Sequence, residues 1–217
     1  MTRIRTGTTR GIAARRSAGA TVACVVALVL LTWADLASKN WALANLSRAP
    51  SIPAGEVCRA NAEGLTYFQR LPTAPSVLVD GFLELRYAEN CGAAFGVLNN
   101  GPSWLRLLLF APAAAAAVLG LLWLYYSGYG GRLFALSVPL IASGALGNLV
   151  DRFRLGYVVD FVRFHLRDGF AWPTFNVADI TITIGVGLLL IEGFSAPSRT
   201  QRTSAPNSEP ASTDAPS

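Results

Sequence analysis

The sequence predicts a membrane protein, mainly α-helical, with four transmembrane helices and a small extracytoplasmic β-structure. Three observations carry this reading. Of the 217 residues, 52% are apolar and only 14% charged, whereas a soluble domain carries about a quarter charged residues. Four apolar segments, 18–37, 103–127, 132–150 and 177–194, match the about 20 residues needed to cross a hydrocarbon core, the last two at the short limit. Between the first two segments, Leu83, Leu85 and Tyr87 alternate with Glu84 and Arg86, which is the period of a strand.

The first span follows Arg3, Arg5, Arg10, Arg15 and Arg16, with no acid among them. The formal charge of +5 is therefore read as topology, a cluster that holds the N-terminus in the cytoplasm, and not as affinity for nucleic acid. The span runs from Ala18 to Leu36 and ends among Asp35 and Lys39, with no small-x-small cleavage site and soluble domain after it. It is read as a retained helix and not a cleaved signal peptide.

Four spans from a cytoplasmic N-terminus put both termini inside and residues 38–102 and 152–176 outside. Arg154, Arg163 and Arg167 in the second outer segment run against a simple charge count, and the denser N-terminal cluster outweighs them. The turn near Ser127–Arg132 is then cytoplasmic. The organisation expected is a basic N-terminus over 1–17, a membrane domain over 18–194 and a Ser-, Pro- and Thr-rich disordered tail over 195–217.

The stretch from Ser51 to Ser76, with Pro53, Pro72 and Pro75, reads as an irregular insertion. Cys24 lies within the first span as a packing residue. Cys58 and Cys91 share an outer segment where a disulfide is permitted. A bridge between them and two free thiols are both compatible with the sequence.

The candidate chemistry lies near the C-terminal end. Asn176-Val-Ala-Asp179 has the form of a capping box at the start of the fourth span, and a helix N-terminus favours an anion there. Asp160 sits among Val158, Val159, Phe161 and Val162, flanks that argue against full solvation. If Asp160 and Asp179 approach, they cannot both ionise easily, and a shared proton permits one to activate water while the other acts as acid. The 18 intervening residues make that approach an expectation.

Simple structural roles compete at every other position. Asp179 alone caps a helix. Asp35 and Lys39, four apart, form an interfacial pair on one helix face. Gly144 and Gly147 permit close helix packing, with Asn148 available to hydrogen-bond across it. Asp151 and Arg152 read as interfacial charges, the arginine alternatively orienting a carbonyl, an acid or a lipid phosphate. Asn90-Cys-Gly-Ala-Ala-Phe-Gly96 is a small-residue turn, and His165, the single histidine, is a solvated loop residue with no metal-ligand partner motif.

Taken together, five motifs carry a resemblance. They are Asp35-x-x-x-Lys39, Asn90-x-Gly-Ala-Ala-Phe95, Gly144-x-x-Gly-Asn-x-x-Asp-Arg152, Gly156-x-Val-Val-Asp-Phe161 and Phe175-Asn-Val-Ala-Asp179. In this order on four spans, the chain resembles the lipoprotein signal peptidase (signal peptidase II) family of bacterial intramembrane aspartic proteases, over roughly 20–194. The resemblance implies four transmembrane helices with an extracytoplasmic β-cradle in the cytoplasmic (inner) membrane. It implies cleavage of lipid-modified prolipoproteins before a diacylglyceryl cysteine. It implies a catalytic dyad at Asp160 and Asp179 and not at Asp151. Asp35, Lys39, Asn90, Gly92, Asn148, Arg152 and Asn176 are implied as substrate-binding or supporting, and Gly144, Gly147 and Asp151 as structural.

No metal or organic cofactor is implied. The partners expected are prolipoproteins and membrane lipids, and a monomer is expected. The Ser51–Ser76 stretch and Cys91 within the Asn90 motif depart from the family pattern and touch the cradle and not the dyad. The rival classes are a transporter using intramembrane acids as a proton relay and a non-catalytic lipoprotein-binding scaffold. A transporter would carry its acids deeper and show internal repeats; a scaffold would not need both acids.

Overall fold

The computed structural model describes residues 15–50, 69–92, 103–166 and 169–195. The four apolar runs form α1 (Ala18–Asn45), α2 (Ser103–Tyr126), α3 (Arg132–Leu155) and α4 (Val177–Ser195). Each contains a stretch long and apolar enough to cross a membrane. Their outward faces present Val22, Val29, Trp33, Leu119, Trp123 and Leu190, the pattern of helices whose solvent is lipid. α3 packs against the other three helices. Gly144 and Gly185 make its approach to α4 possible. A Cβ at Gly144 would lie 2.5 Å from the Ala178 carbonyl oxygen, and one at Gly185 would lie 2.6 Å from Ile141 Cγ1.

Two helices are longer than their hydropathy indicates. α1 continues eight residues beyond 37, to Asn45, and α3 five beyond 150, to Leu155. At 1.5 Å per residue α1 is about 42 Å long, more than the hydrocarbon core of about 30 Å. Its last turns carry the sheets.

Among the described residues those sheets are built from five short strands. β1 (Ser47–Pro50) pairs with β2 (Arg70–Pro72), antiparallel. β3 (Ser76–Val79), β4 (Leu83–Asn90) and β5 (Val158–Phe164) form an antiparallel sheet in that order. The strand expected around Leu83–Tyr87 is present, whereas β5 lies where the sequence marks only an outer loop. Of the Ser51–Ser76 stretch, 51–68 lie outside the described residues, while Arg70–Pro72 is strand and not irregular chain. Cys24 is a buried free thiol, Cys91 is disulfide-bonded, and Cys58 lies outside the described residues.

The core beneath the sheets joins Ala42 of α1 and Leu46, the residue that caps it, to Tyr87, Cys91, Tyr157, Val159 and Phe161. Buried Tyr87 and Tyr157 share a hydroxyl contact of 3.0 Å, and Tyr87 also donates to Glu89. Burial is the main reason the Glu89 carboxyl is raised above its ordinary value, and the Tyr157 phenol is pushed up to about 12 for the same reason. At the other end of the bundle, Arg16 donates to the carbonyls of Tyr129, Gly130 and Gly131. Glu192 of α4 accepts from the backbone N–H groups of Gly131 and Phe134, replacing the side-chain cap that Gly131 cannot supply to α3.

Candidate active site

Three local structures bring the polar side chains together. α3 ends on Gly156, whose φ of 84° is the left-handed conformation glycine adopts freely. The chain thereby reverses directly into β5. Asp151 Oδ2 then accepts the Val159 N–H at 3.1 Å, fixing the strand to the helix one residue before Asp160. β5 turns and returns, so that Phe175 exchanges backbone hydrogen bonds with Val162 and accepts a further one from Phe161. That return delivers Asn176 beside Asp160.

α4 begins there with the expected capping box. The Asp179 N–H donates to Asn176 Oδ1 at 3.1 Å, and the Asn176 N–H donates to Asp179 Oδ2 at 3.2 Å. A further orphan donor of the helix, the Ala178 N–H, is taken by Asp35 Oδ1 at 2.8 Å. Asp179 therefore does cap the helix, and its carboxylate also accepts from Asn148 Nδ2 at 3.0 Å.

Three asparagine amides have their orientation set by what their oxygens accept. Asn90 Oδ1 takes the Gly92 N–H, leaving Nδ2 aimed at Asp160 Oδ2 at 3.1 Å. Asn176 Oδ1 is held by the cap, leaving Nδ2 to donate to Asp160 Oδ1 at 2.6 Å and to Asn148 Oδ1 at 3.2 Å. Asn148 Oδ1 also accepts from Lys39 Nζ at 2.7 Å, so its NH₂ faces Asp179. An aspartate at any of the three would set acceptor against acceptor.

Asp160 and Asp179 are thus joined through Asn176 and Asn148. Asp160 is almost wholly buried (2% exposed) and Asp179 partly so. Burial, followed by the negative charge of Asp179, pushes the Asp160 carboxyl from an ordinary 3.8 up to about 7, against the hydrogen bonds from Asn90 and Asn176 that favour its anion.

Lys39 is the hub beneath this pair. Its ammonium lies 2.8 Å from Asp35 Oδ2 and 3.5 Å from Asp151 Oδ2 besides its bond to Asn148. Asp35 and Lys39 do form the i,i+4 pair expected, but they and Asp151 are not interfacial charges, because all three are 1% exposed. Charges that reach one another inside a bundle need no water. Gly147 makes this possible, since a Cβ there would strike the Asp35 carboxylate.

Arg152, read as an interfacial charge or a group orienting a carbonyl, takes the second of those roles. It donates to the carbonyls of Asn148 and of Gly92, the latter at 3.0 Å, and lies over the Phe110 ring. It so braces the Asn90–Gly92 turn. Residues 93–96 of that motif lie outside the described residues. His165 is remote from this cluster, 3.8 Å from Glu84 and bridged by its backbone to Ala171. Asp179 also lines a cavity of about 570 Å³ walled by Leu83, Val162, Phe175, Ile180 and Ile184.

Four membrane-length helices surrounding a knot of carboxylates, amides and one ammonium, roofed by small sheets, define a polytopic membrane protein with a polar site buried at one end. The family model for Signal peptidase (SPase) II matches residues 25–195. A lipoprotein signal peptidase of Yersinia enterocolitica is 35% identical over 169 residues, which is 78% of this chain and 85% of that protein. One of Ralstonia nicotianae is 46% identical over 114 residues, 52% of this chain and just under two thirds, 65%, of that relative. A bacterial membrane enzyme solved by the in meso method shares the fold at a TM-score of 0.60 and 21% identity, covering 88% of this chain and 98% of that one. The chain belongs to the signal peptidase II family.

Proposed function

We propose that this protein is an intramembrane aspartic endopeptidase that removes the signal peptide from lipid-modified prolipoproteins, cleaving before the diacylglyceryl cysteine. The observation that carries the proposal is the pairing of Asp160 with Asp179 through Asn176 and Asn148, with Asp179 at the wall of an apolar cavity. The substrate enters laterally from the bilayer with its acyl chains in lipid. Its scissile carbonyl meets a water held between the two carboxyls. Asp179, whose oxygens receive only N–H donors at a helix N-terminus, is the anion and takes a proton from the water as oxygen attacks carbon. Asp160, neutral below about 7, is the acid. Its proton goes to the carbonyl oxygen as the tetrahedral intermediate forms; as the C–N bond breaks, Asp179 passes its proton to the leaving nitrogen and Asp160 takes one back from a hydroxyl of the intermediate, which leaves the acid, the amine and the pair with its single proton.

Asn90, Asn148 and Asn176 orient the pair; Lys39, Asp35, Asp151 and Arg152 hold the elements that carry it. Both termini are cytoplasmic, and the site faces the extracytoplasmic side of the inner membrane. That orientation rests on the N-terminal arginine cluster. The test is cleavage of a diacylglyceryl prolipoprotein by the purified protein and by the D160N and D179N variants. The expected result is release of the signal peptide by the parent and none by either variant, with unchanged elution from a sizing column. Retained cleavage in either variant overturns the assignment.

A further inference from the structure

Asn90, the donor to Asp160 Oδ2, is the last residue of β4, and the pairing with β5 ends there opposite Val158. Its amide is aimed from two residues further on, because Oδ1 holds the Gly92 N–H. Both neighbours of Asn90 are tied down. Glu89 accepts the backbone N–H groups of Gln69 and Arg70 at 2.8 and 2.9 Å, where the chain returns into β2 from the stretch that leaves β1 at Pro50. Cys91, 6% exposed in the core that holds Tyr87 and Tyr157, is disulfide-bonded. The chain has three cysteines and Cys24 is a free thiol, so the partner left to Cys91 is Cys58, in that same stretch. Glu89, and Arg152 donating to the Gly92 carbonyl at 3.0 Å, hold the turn by hydrogen bonds that water can replace. The bond at Cys91 is covalent.

We propose that Cys91 is a positioning residue for the acid pair: its disulfide to Cys58 fixes the Asn90–Gly92 turn, and through it the N–H that Asn90 offers to Asp160. A donor serves a reacting group only while its own support is locked. Cutting the bond frees the turn to move Gly92 off Asn90 Oδ1, and the amide then rotates or swings away from the carboxyl. The oxidising outer face on which the sheets are placed keeps such a bond formed. The effect on cleavage rests on the reading of Asp160 and Asp179 as the reacting acids; the hold on Asn90 does not.

The test compares the full chain in detergent before and after tris(2-carboxyethyl)phosphine, which gives the disulfide two electrons and takes an oxygen from water as two thiols form. C58S removes the bond without altering the Asn90 motif. Unfolded without reductant, the parent should expose one alkylatable thiol, Cys24, and three after reduction. Reduction and C58S should each lower kcat/KM for a diacylglyceryl prolipoprotein about fivefold, the worth of one hydrogen bond, and C58S should not respond to the phosphine. The Asn90 hydrogen bond favours the Asp160 anion, so both changes should also move the alkaline limb of kcat/KM to higher pH, as N90A should. A limb that stays in place in C58S and in the reduced parent, whatever the rate, overturns the proposal and leaves the bond a stabilising one only. Three alkylated thiols without reductant overturn it outright. A parent that cleaves in neither state fails the peptidase reading instead. The break near pH 7 in its unfolding midpoint, which reads the same proton without substrate, then decides: it moves up on reduction if Cys91 positions Asn90, and its staying in place overturns the proposal.

Discussion

Replacing Asp160 with asparagine should change how stability depends on pH more than it changes stability at any one pH. The carboxyl titrates near 7 in the folded protein and near 3.8 when released. Between those values the folded state holds a proton that the unfolded state has lost, so stability must fall as pH rises through the window and level off above about 7. The window is about three pH units wide and is worth about 4 kcal/mol in all at 1.36 kcal/mol per unit. Between about pH 5 and about pH 9, only the upper two units remain, about 3 kcal/mol.

The amide introduced by D160N does not titrate, but it sets an NH₂ against the amide donor of Asn90 or Asn176, at a cost of about 1–3 kcal/mol. D160N should therefore be the weaker protein near pH 5 and draw level with or overtake the parent near pH 9. Denaturation midpoints of both proteins in the same detergent, followed across that range, read the difference directly. Parallel curves would refute the reasoning, because they require Asp160 to be charged and hydrated throughout. D179N should reduce the parent's slope without abolishing it, since burial is the larger cause and the charge of Asp179 the smaller.

The remaining predictions concern what holds the pair. K39M should leave Asp35 and Asp151 buried without their cation and cost about 3–5 kcal/mol, read as a lowered unfolding midpoint together with loss of cleavage. G144A should push a methyl against the Ala178 carbonyl and the side chains of Thr181 and Ile182 and cost about 1–3 kcal/mol. Because Ala178 lies one residue before Asp179, cleavage should fall with it, and an unchanged midpoint would count against the close packing of α3 and α4. N176D should turn a donor to Asp160 into an acceptor; leaving a buried polar group without its partner costs about 1–3 kcal/mol, so kcat/KM should drop at least about fivefold. For the parent, kcat/KM should decline about tenfold per pH unit above about 7, as Asp160 loses the proton it donates.

What the sequence disclosed and what it hid follow from one physical distinction. A run of apolar residues declares a helix wherever lipid is its surroundings, and all four helices were legible for that reason. The same rule misjudged where α1 and α3 end. It treats Asp35, Lys39 and Asp151 as groups that must reach water, whereas these three reach one another. Nothing along the chain announces that Lys39 of α1 will meet Asn148 and Asp151 of α3, more than a hundred positions away.

β5 was hidden by a related effect. Val158 to Phe161 are all buried, because the strand has sheet on one side and helices on the other, so no alternation appears. The capping box at Asn176 was legible because it is local, its partners three residues apart. The approach of Asp160 was not, because it depends on the return of Phe175 against Val162, and a backbone pairing leaves no mark on side-chain identity. The family motifs pointed to the pair nonetheless, and the geometry supplies a physical reason for their spacing. Each of Asn90, Asn148 and Asn176 has its oxygen already engaged and its NH₂ committed toward the acids, so the amides and the acids they face form one unit. Altering any one of them should therefore affect the pair as a whole and not a single bond.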